Sequence, residues 1–231
     1  MSPHSHGHRG NRLLLALPAD AQAALKRDMR EAIVAQGAVL LEPNDLIAHV
    51  YFPQSGIISR AVVMRDGGAL ETSMVGREGA VGLHRGPGRS FTRATVQVAG
   101  TISVIAVTPF QQVLDRYPAL RALVAEYGER SCLEARQLVA CNAVHDASSR
   151  LCRRLLQCAD RIDDDVLPLT QEFLAQMLGV RRTTLTLLAQ ALQERGAIHY
   201  CRARSGSSTA CCSGLPPASA IRSSIRSIAG R

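Results

Sequence analysis

The period of the apolar residues changes from strand-like to helical at Pro109, and that change limits the possible folds more than any composition figure does. Upstream, from Ala38 to Val107, short β-rich runs (VLL, HVYF, GIISRAVVM, ALETSMV, ATVQV, TISVIAV) alternate with turn formers such as Glu42-Pro43-Asn44-Asp45, Pro53-Gln54-Ser55-Gly56, Asp66-Gly67-Gly68 and Gly86-Pro87-Gly88. Many short strands at this spacing predict an antiparallel sandwich or roll. The clearest hairpin flanks Arg65-Asp66-Gly67-Gly68, because Asp-Gly and Gly-Gly supply the left-handed positions such turns require. A helix over Asp20 to Val34 is expected ahead of the roll.

Downstream of Pro109 the pattern is helical. Phe110 to Arg116 reads as a short helix, Pro118 opens a long one running to about Val144, and Ser149 to Ala159 reads as a third. In the long helix Leu120, Val124, Tyr127, Ser131, Glu134, Leu138 and Cys141 recur at spacings of three and four. That fits a coiled-coil seam with two polar interruptions, and so a homodimer. The competing reading is a single helix packed along its own β-roll.

The segment Pro168 to Ile198, PLTQEFLAQMLGVRRTTLTLLAQALQERGAI, reads as two short helices joined by a Gly-centred turn. Thr170 can cap the first helix, through Phe173, Leu174, Met177 and Leu178, and Gly179 can take the positive φ at which it stops. In the second helix Leu185, Leu188, Ala189 and Leu192 form an inward stripe. Arg182, Thr183, Thr186 and Gln190 then face outward. Cationic and polar side chains at the start of a second helix suit the edges of bases in a major groove. An ordinary helical hairpin with a solvated polar face shares the same spacing.

Charge adds less than its total suggests. The net formal charge is +8, yet residues 201 to 231 hold five arginines (202, 204, 222, 226 and 231) and no acid. The first 200 residues therefore carry 22 basic against 19 acidic groups, which does not by itself establish nucleic-acid binding. No apolar run approaches the roughly 18 residues of a membrane span, and MSPHSHGHRGN lacks the apolar core of a signal peptide. The expectation is a soluble, cytoplasmic chain without membrane contact. Seven cysteines, at 132, 141, 152, 158, 201, 211 and 212, form no CxxC pair and read as small core residues of a reduced protein. His4, His6 and His8 alternate on a polar terminus that reads as disordered rather than as a metal site. No metal or cofactor is expected. Cys141 and His145 lie four apart on a helix, but no orienting third group or oxyanion loop accompanies them, so the chain is not read as an enzyme.

The order of β-roll, long helix, short helix and helix-turn-helix resembles the Crp/Fnr family of bacterial transcription regulators over about residues 12 to 200. The most specific stretches are YFPQSGIIS (Tyr51 to Ser59), VGREGAVG (Val75 to Gly82) and LTQEFLAQMLGVRRTTLT (Leu169 to Thr186). The resemblance implies an α+β fold. Its parts are an N-terminal antiparallel β-roll of the cyclic-nucleotide-binding type (a double-stranded β-helix), a dimerisation helix, and a C-terminal helix-turn-helix. It implies double-stranded DNA, a second copy of the chain and RNA polymerase as partners.

By position, the resemblance sets Thr170 and Gln171 where the family's first motif helix meets a phosphate. Arg181 stands where a serine cap is usual, which passes the capping role to Thr183 or the backbone. Arg182 matches the family's guanine-reading arginine, and Thr184 and Thr186 lie on the same helix. Thr183 replaces a common glutamate and Leu187 a common arginine, so the target sequence should differ from that of the founding members. In the roll, Gly76-Arg77-Glu78-Gly79 carries a glutamate displaced by one place from the family's ribose contact. Arg93 matches the phosphate contact but is followed by Ala94 rather than serine. Glu78 and Arg93 are thus the candidate effector residues for an unidentified small molecule, with a solvated or salt-bridged Arg93 as the alternative.

After Tyr200 the family expects a β-hairpin wing. The chain instead gives CRARSGSSTACCSGLPPASAIRSSIRSIAGR, which shows no strand alternation and has the composition of disorder. Codons for Gly206-Ser207-Ser208-Thr209 can be chosen so that a one-base shift reads Ile-Leu-Asp, resembling the end of a wing, which suggests translation out of frame. The expected organisation is a disordered tail (1–11), a sensory roll (12–117), a dimerisation helix (118–144), a DNA-binding domain with an incomplete wing (145–200) and a disordered tail (201–231). A ligand-binding or dimerising protein with impaired DNA binding is the alternative function, on the ground that the wing is missing.

Overall fold

The computed structural model describes residues 10–84, 88–162, 167–196, 198–202 and 208–211, with 199–202 and 208–211 described by backbone alone. The sequence readings on His4, His6 and His8, on the turn at residues 85–87 and on the chain after residue 211 lie outside the described residues. The chain divides into two compact units. One gathers Met1–Val62 and Ser73–Glu134, the other Val63–Thr72 and Ala135–Arg231.

In the first unit, α1 (Arg12–Leu15) is capped by Asn11, whose side-chain oxygen accepts from the backbone N–H groups of Leu13 and Leu14. The Asn11 amide donates to the carbonyls of Pro53 and Gly79, at 2.9 and 2.8 Å, and the residue is buried. Asn11, the last residue of the segment assigned to a disordered tail, is thus held in place by a buried capping amide with four partners. Helix α2 (Ala19–Asp28) follows and buries Ala21 and Leu25.

The helix expected to reach Val34 stops at Asp28, and residues 30–34 form strand β1 (Arg30–Val34), paired antiparallel with β7 (Gly100–Ala106). Met29 ends the helix in an extended conformation. REAIV fits either periodicity, and pairing with a distant strand decides. The strands read from the sequence are β2 (Val39–Leu41), β3 (His49–Pro53), β4 (Ile57–Val63), β5 (Ala69–Val75), β6 (Arg93–Val98) and β7. They build two antiparallel sheets, ordered β1-β7-β3 and β2-β6-β4-β5. Ile58, Val75, Val81, Ala94, Ile102 and Val104 fill one core of this roll. A second core gathers Leu25, Phe52, Ile105 and residues of α3 (Val107–Arg116), among them Phe110. Pro109 lies in the first turn of α3, where its missing N–H costs no helical hydrogen bond.

Helix α4 runs unbroken over Pro118–Val144. Part of its predicted seam is turned toward this chain's own core, while Glu134 on the same row is exposed. Leu120 is a buried member of the second core, Val124 and Tyr127 pack against that core, and Cys141 is buried too. From Leu120 to Tyr127 that face packs against this chain itself, as the competing reading had it. Elsewhere on the helix Leu133, Val139 and Val144 are exposed by 61, 70 and 79%.

In the second unit α5 (Ala147–Ala159) begins at Asp146, whose carboxylate accepts from the Ser149 N–H at 2.7 Å. The two-residue strand β8 (Leu169–Thr170) then leads into α6 (Gln171–Leu178) and α7 (Arg182–Glu194). Leu151, Cys158, Leu169, Leu174, Leu185 and Leu192 are almost wholly buried and form the core of this unit.

The segment after Tyr200 departs from its sequence reading. Strand β9 (His199–Arg202) pairs with β10 (Ser208–Cys211), and β10 pairs in turn with β8, all antiparallel. Residues 201–202 and 208–211 are therefore paired strand, not part of a structureless tail. Low strand propensity in SSTAC is overridden because Leu169 and Thr170 offer a paired edge to Ala210 and Thr209.

Candidate nucleic-acid interface

The motif is built as its spacing predicts. Thr170 sits in extended conformation and its hydroxyl accepts from the Phe173 N–H at 3.2 Å, capping α6, while Gln171 opens the first turn. Gly179 closes α6 at φ 63°, ψ 35°, a left-handed position, with its N–H directed to the Ala175 and Gln176 carbonyls. Three residues after Gly179, α7 begins.

On α7 one stripe is buried and the rest is open. Leu185, Ala189 and Leu192 are at most 1% exposed, whereas Arg181, Arg182, Thr183, Thr184 and Gln190 are exposed and Leu188 is half-buried. Thr186 is half-buried, and its hydroxyl donates to the Arg182 carbonyl at 3.0 Å. That bond uses the only donor of Thr186 and leaves it an acceptor. Arg181 occupies the cap position with no side-chain hydrogen bond to the helix, so neither it nor Thr183 serves as the cap. The first-turn N–H groups of α7 consequently point outward beside two guanidinium groups, an arrangement that attracts anions.

Leu187 is 67% exposed on the same helix. An apolar side chain there can meet a thymine methyl but cannot donate to a purine. Behind the helices, Arg150 of α5 donates to the Leu178 carbonyl at 3.3 Å, fixing the last turn of α6. The paired strands β9 and β10 adjoin Thr170 through β8, next to the start of α6.

The two effector candidates are not brought together. The Arg93 guanidinium pairs with the Glu42 carboxylate at 2.8 Å, the salt-bridged alternative of its sequence reading. Glu78 accepts from the Gly76 N–H at 3.1 Å and lines a small cavity with Arg60, Tyr127, Arg130, Ser131 and Glu134, from which Arg93 is absent. The cavity holds about 20 Å³, room for little more than one water. Tyr127 and Ser131, two positions of the predicted seam, line this cavity. Arg60 carried no local signal, because it joins them only through the fold. Burial pushes the Tyr127 hydroxyl above its ordinary pKa, with a Ser131 hydrogen bond pulling the other way.

Among the described residues, no helix is long and apolar enough to cross a membrane and no cluster of His, Cys, Asp or Glu could hold a metal ion.

The family model for the Crp-like helix-turn-helix domain matches residues 149–206, from the start of α5 past β9. No curated protein sequence matches the chain. Among solved structures, FixK2 of Bradyrhizobium japonicum is similar with a TM-score of 0.69 and 13% identity, covering 84% of this chain and 96% of that one. The c-di-GMP-responsive global regulator CLP of Xanthomonas campestris is similar with a TM-score of 0.66 and 16% identity, covering 84% and 99%. A CRP/FNR-family transcriptional regulator of Thermus thermophilus, TTHA1359, is similar with a TM-score of 0.62 and 18% identity, covering 87% and 99%.

Proposed function

The chain carries the Crp-like DNA-binding domain of a transcription regulator on the Crp/Fnr fold, and from that premise we propose that it acts as a cytoplasmic homodimer reading DNA through Arg182. The observation that carries this reading is the first turn of α7. Arg181, Arg182, Thr183 and Thr184 are exposed there while Leu185, Ala189 and Leu192 hold the helix from behind. Arg182 would lie bidentate on guanine O6 and N7, a contact of about 1–3 kcal/mol in discrimination. Thr170 and Gln171 at the start of α6 would hold a phosphate, and Arg181, Thr184 and Thr186 would flank the read base.

The partner for dimerisation is a second copy, meeting the long helix α4, on which Leu133, Val139 and Val144 are exposed. Two helix-turn-helix motifs then read half-sites about one helical turn apart. RNA polymerase is the further partner in an activating role. An effector of unassigned chemistry belongs in the roll cavity beside Glu78 and Tyr127, which must widen from about 20 Å³ to admit it. The hairpin β9–β10 supports DNA binding over the impaired alternative, whose premise was a missing wing.

Footprinting on a duplex selected from random sequence tests the reading. A two-fold symmetric protected site that weakens with Arg182→Ala supports it. Binding that falls steeply with salt yet shows no sequence preference, unchanged by the substitution, refutes it.

A further inference from the structure

Residues Val63–Thr72, the tip of the β4–β5 hairpin, group with the helix-turn-helix unit rather than with the other strand residues of the roll. Two contacts explain the grouping. Glu71 faces Arg154 of α5 at 2.8 Å, with side chains 1% and 5% exposed. Its neighbour Leu70 reaches the turn of the motif, where a Cβ added to Gly179 would lie 3.0 Å from Leu70 Cδ1. Arg154 also donates to the Gln157 side chain at 3.1 Å, and Arg150, one turn earlier on α5, ties the Leu178 carbonyl next to that turn. The hairpin thus touches both the scaffold helix and the turn that sets the angle between α6 and α7, and it leaves the first turn of α7 open.

We propose that Leu70 and Glu71 are positioning residues for DNA reading: the hairpin clamps α5 and the Gly179 turn and so fixes where α7 presents Arg182. This rests on the DNA-binding reading above. The clamp adds no charge toward a phosphate, so it acts on specific binding and leaves nonspecific attraction alone.

The test uses the full chain with Glu71→Gln, Leu70→Ala and Arg182→Ala, measured by anisotropy on a duplex selected by the unsubstituted protein and on unrelated DNA. Glu71→Gln and Leu70→Ala are each expected to weaken specific binding by roughly 5- to 150-fold, the usual range for coupling between sites, with binding to unrelated DNA unchanged. Should Glu71→Gln fail to fold, the partly exposed Leu70 decides alone. Folded variants that bind the selected duplex as tightly as the parent overturn the inference, and equal losses on both DNAs overturn it as well, since they mark general damage. If Arg182→Ala costs binding while the hairpin variants do not, only the clamp is wrong. If the unsubstituted protein selects no duplex, the DNA-reading proposal and the clamp fall together.

Discussion

Tyr127 lies over Gly79 so closely that no side-chain carbon fits between them: a Cβ on Gly79 would collide with the phenol ring and its hydroxyl. The glycine of VGREGAVG is there for the approach of α4, not for a turn. Gly79→Ala is expected to lower the stability of the full chain by about 1–3 kcal/mol in urea unfolding, the usual cost of overpacking. Tyr127→Leu in the same chain should return part of that loss. An unchanged midpoint for Gly79→Ala would show that the ring yields freely.

Thr170 combines two roles that substitutions can separate. Its hydroxyl caps α6, and it stands where a phosphate is proposed to sit. Thr170→Asp keeps a capping oxygen but adds a negative charge, so the melting temperature should hold while affinity for DNA drops. Thr170→Ser should preserve both. Equal DNA affinity for the aspartate variant would remove the phosphate from this position.

Leu187 and Arg182 are both exposed on one helix, and the proposed reading gives them different parts. Arg182→Ala should relax discrimination at one base pair by about 1–3 kcal/mol, and Arg182→Lys should not restore it, since the bidentate fork is lost. Leu187→Arg should change which base is preferred one step along rather than simply weaken binding. Selection from random duplexes reads both outcomes.

The cap of α5 gives a pH test. Hydrogen bonds from Ser149, first its backbone N–H and then its side chain, hold the Asp146 carboxyl below the ordinary value of 3.8. A depressed folded pKa stabilises fully above the unfolded value and is lost as pH falls through the folded one. Asp146→Ala should therefore melt lower than the parent at about pH 7, and the gap should shrink in acid below the ordinary carboxylate range. Asp146→Asn, still a cap, should show little such pH dependence. A constant gap across the range would deny the carboxylate its role.

The cysteines should separate by burial. Burial raises the Cys152 thiol, and burial first with the charge of Glu71 second pushes Cys158 up to about 12, whereas Cys132 is exposed. Since the thiolate is the reactive form, maleimide near neutral pH should label Cys132 in the native protein and reach Cys152 and Cys158 only after denaturation. Peptide mass spectrometry distinguishes them. Native labelling of Cys158 at the rate of Cys132 would contradict the packing around α5.

What could be read beforehand was whatever is decided locally. The six strands from Val39 to Ala106 announce themselves because alternation and turn residues act over a few positions, and the same holds for the Thr170 cap and the Gly179 stop. Misreadings arose where a distant partner decides. Arg30 to Val34 suits helix or strand until β7 pairs with it, and β10 forms because β8 supplies an edge. The face of α4 from Leu120 to Cys141 was visible as a face, but nothing in its spacing says whether a second chain or the same chain covers it. The roll cavity and the Glu71–Arg154 pair join residues far apart in sequence, so no local pattern could have named Arg60 or Glu71.

Arg154 also bears on how this chain can be cut. Its charge sits in the interior of the helix-turn-helix unit, and its counter-ion is supplied by a hairpin made much earlier in the chain. A fragment starting after Glu134 would keep all three helices and strand that guanidinium in an apolar interior without its carboxylate. The DNA-binding half is therefore not a module that excision or fusion can move intact; it travels with residues 63–72, or with Arg154 replaced.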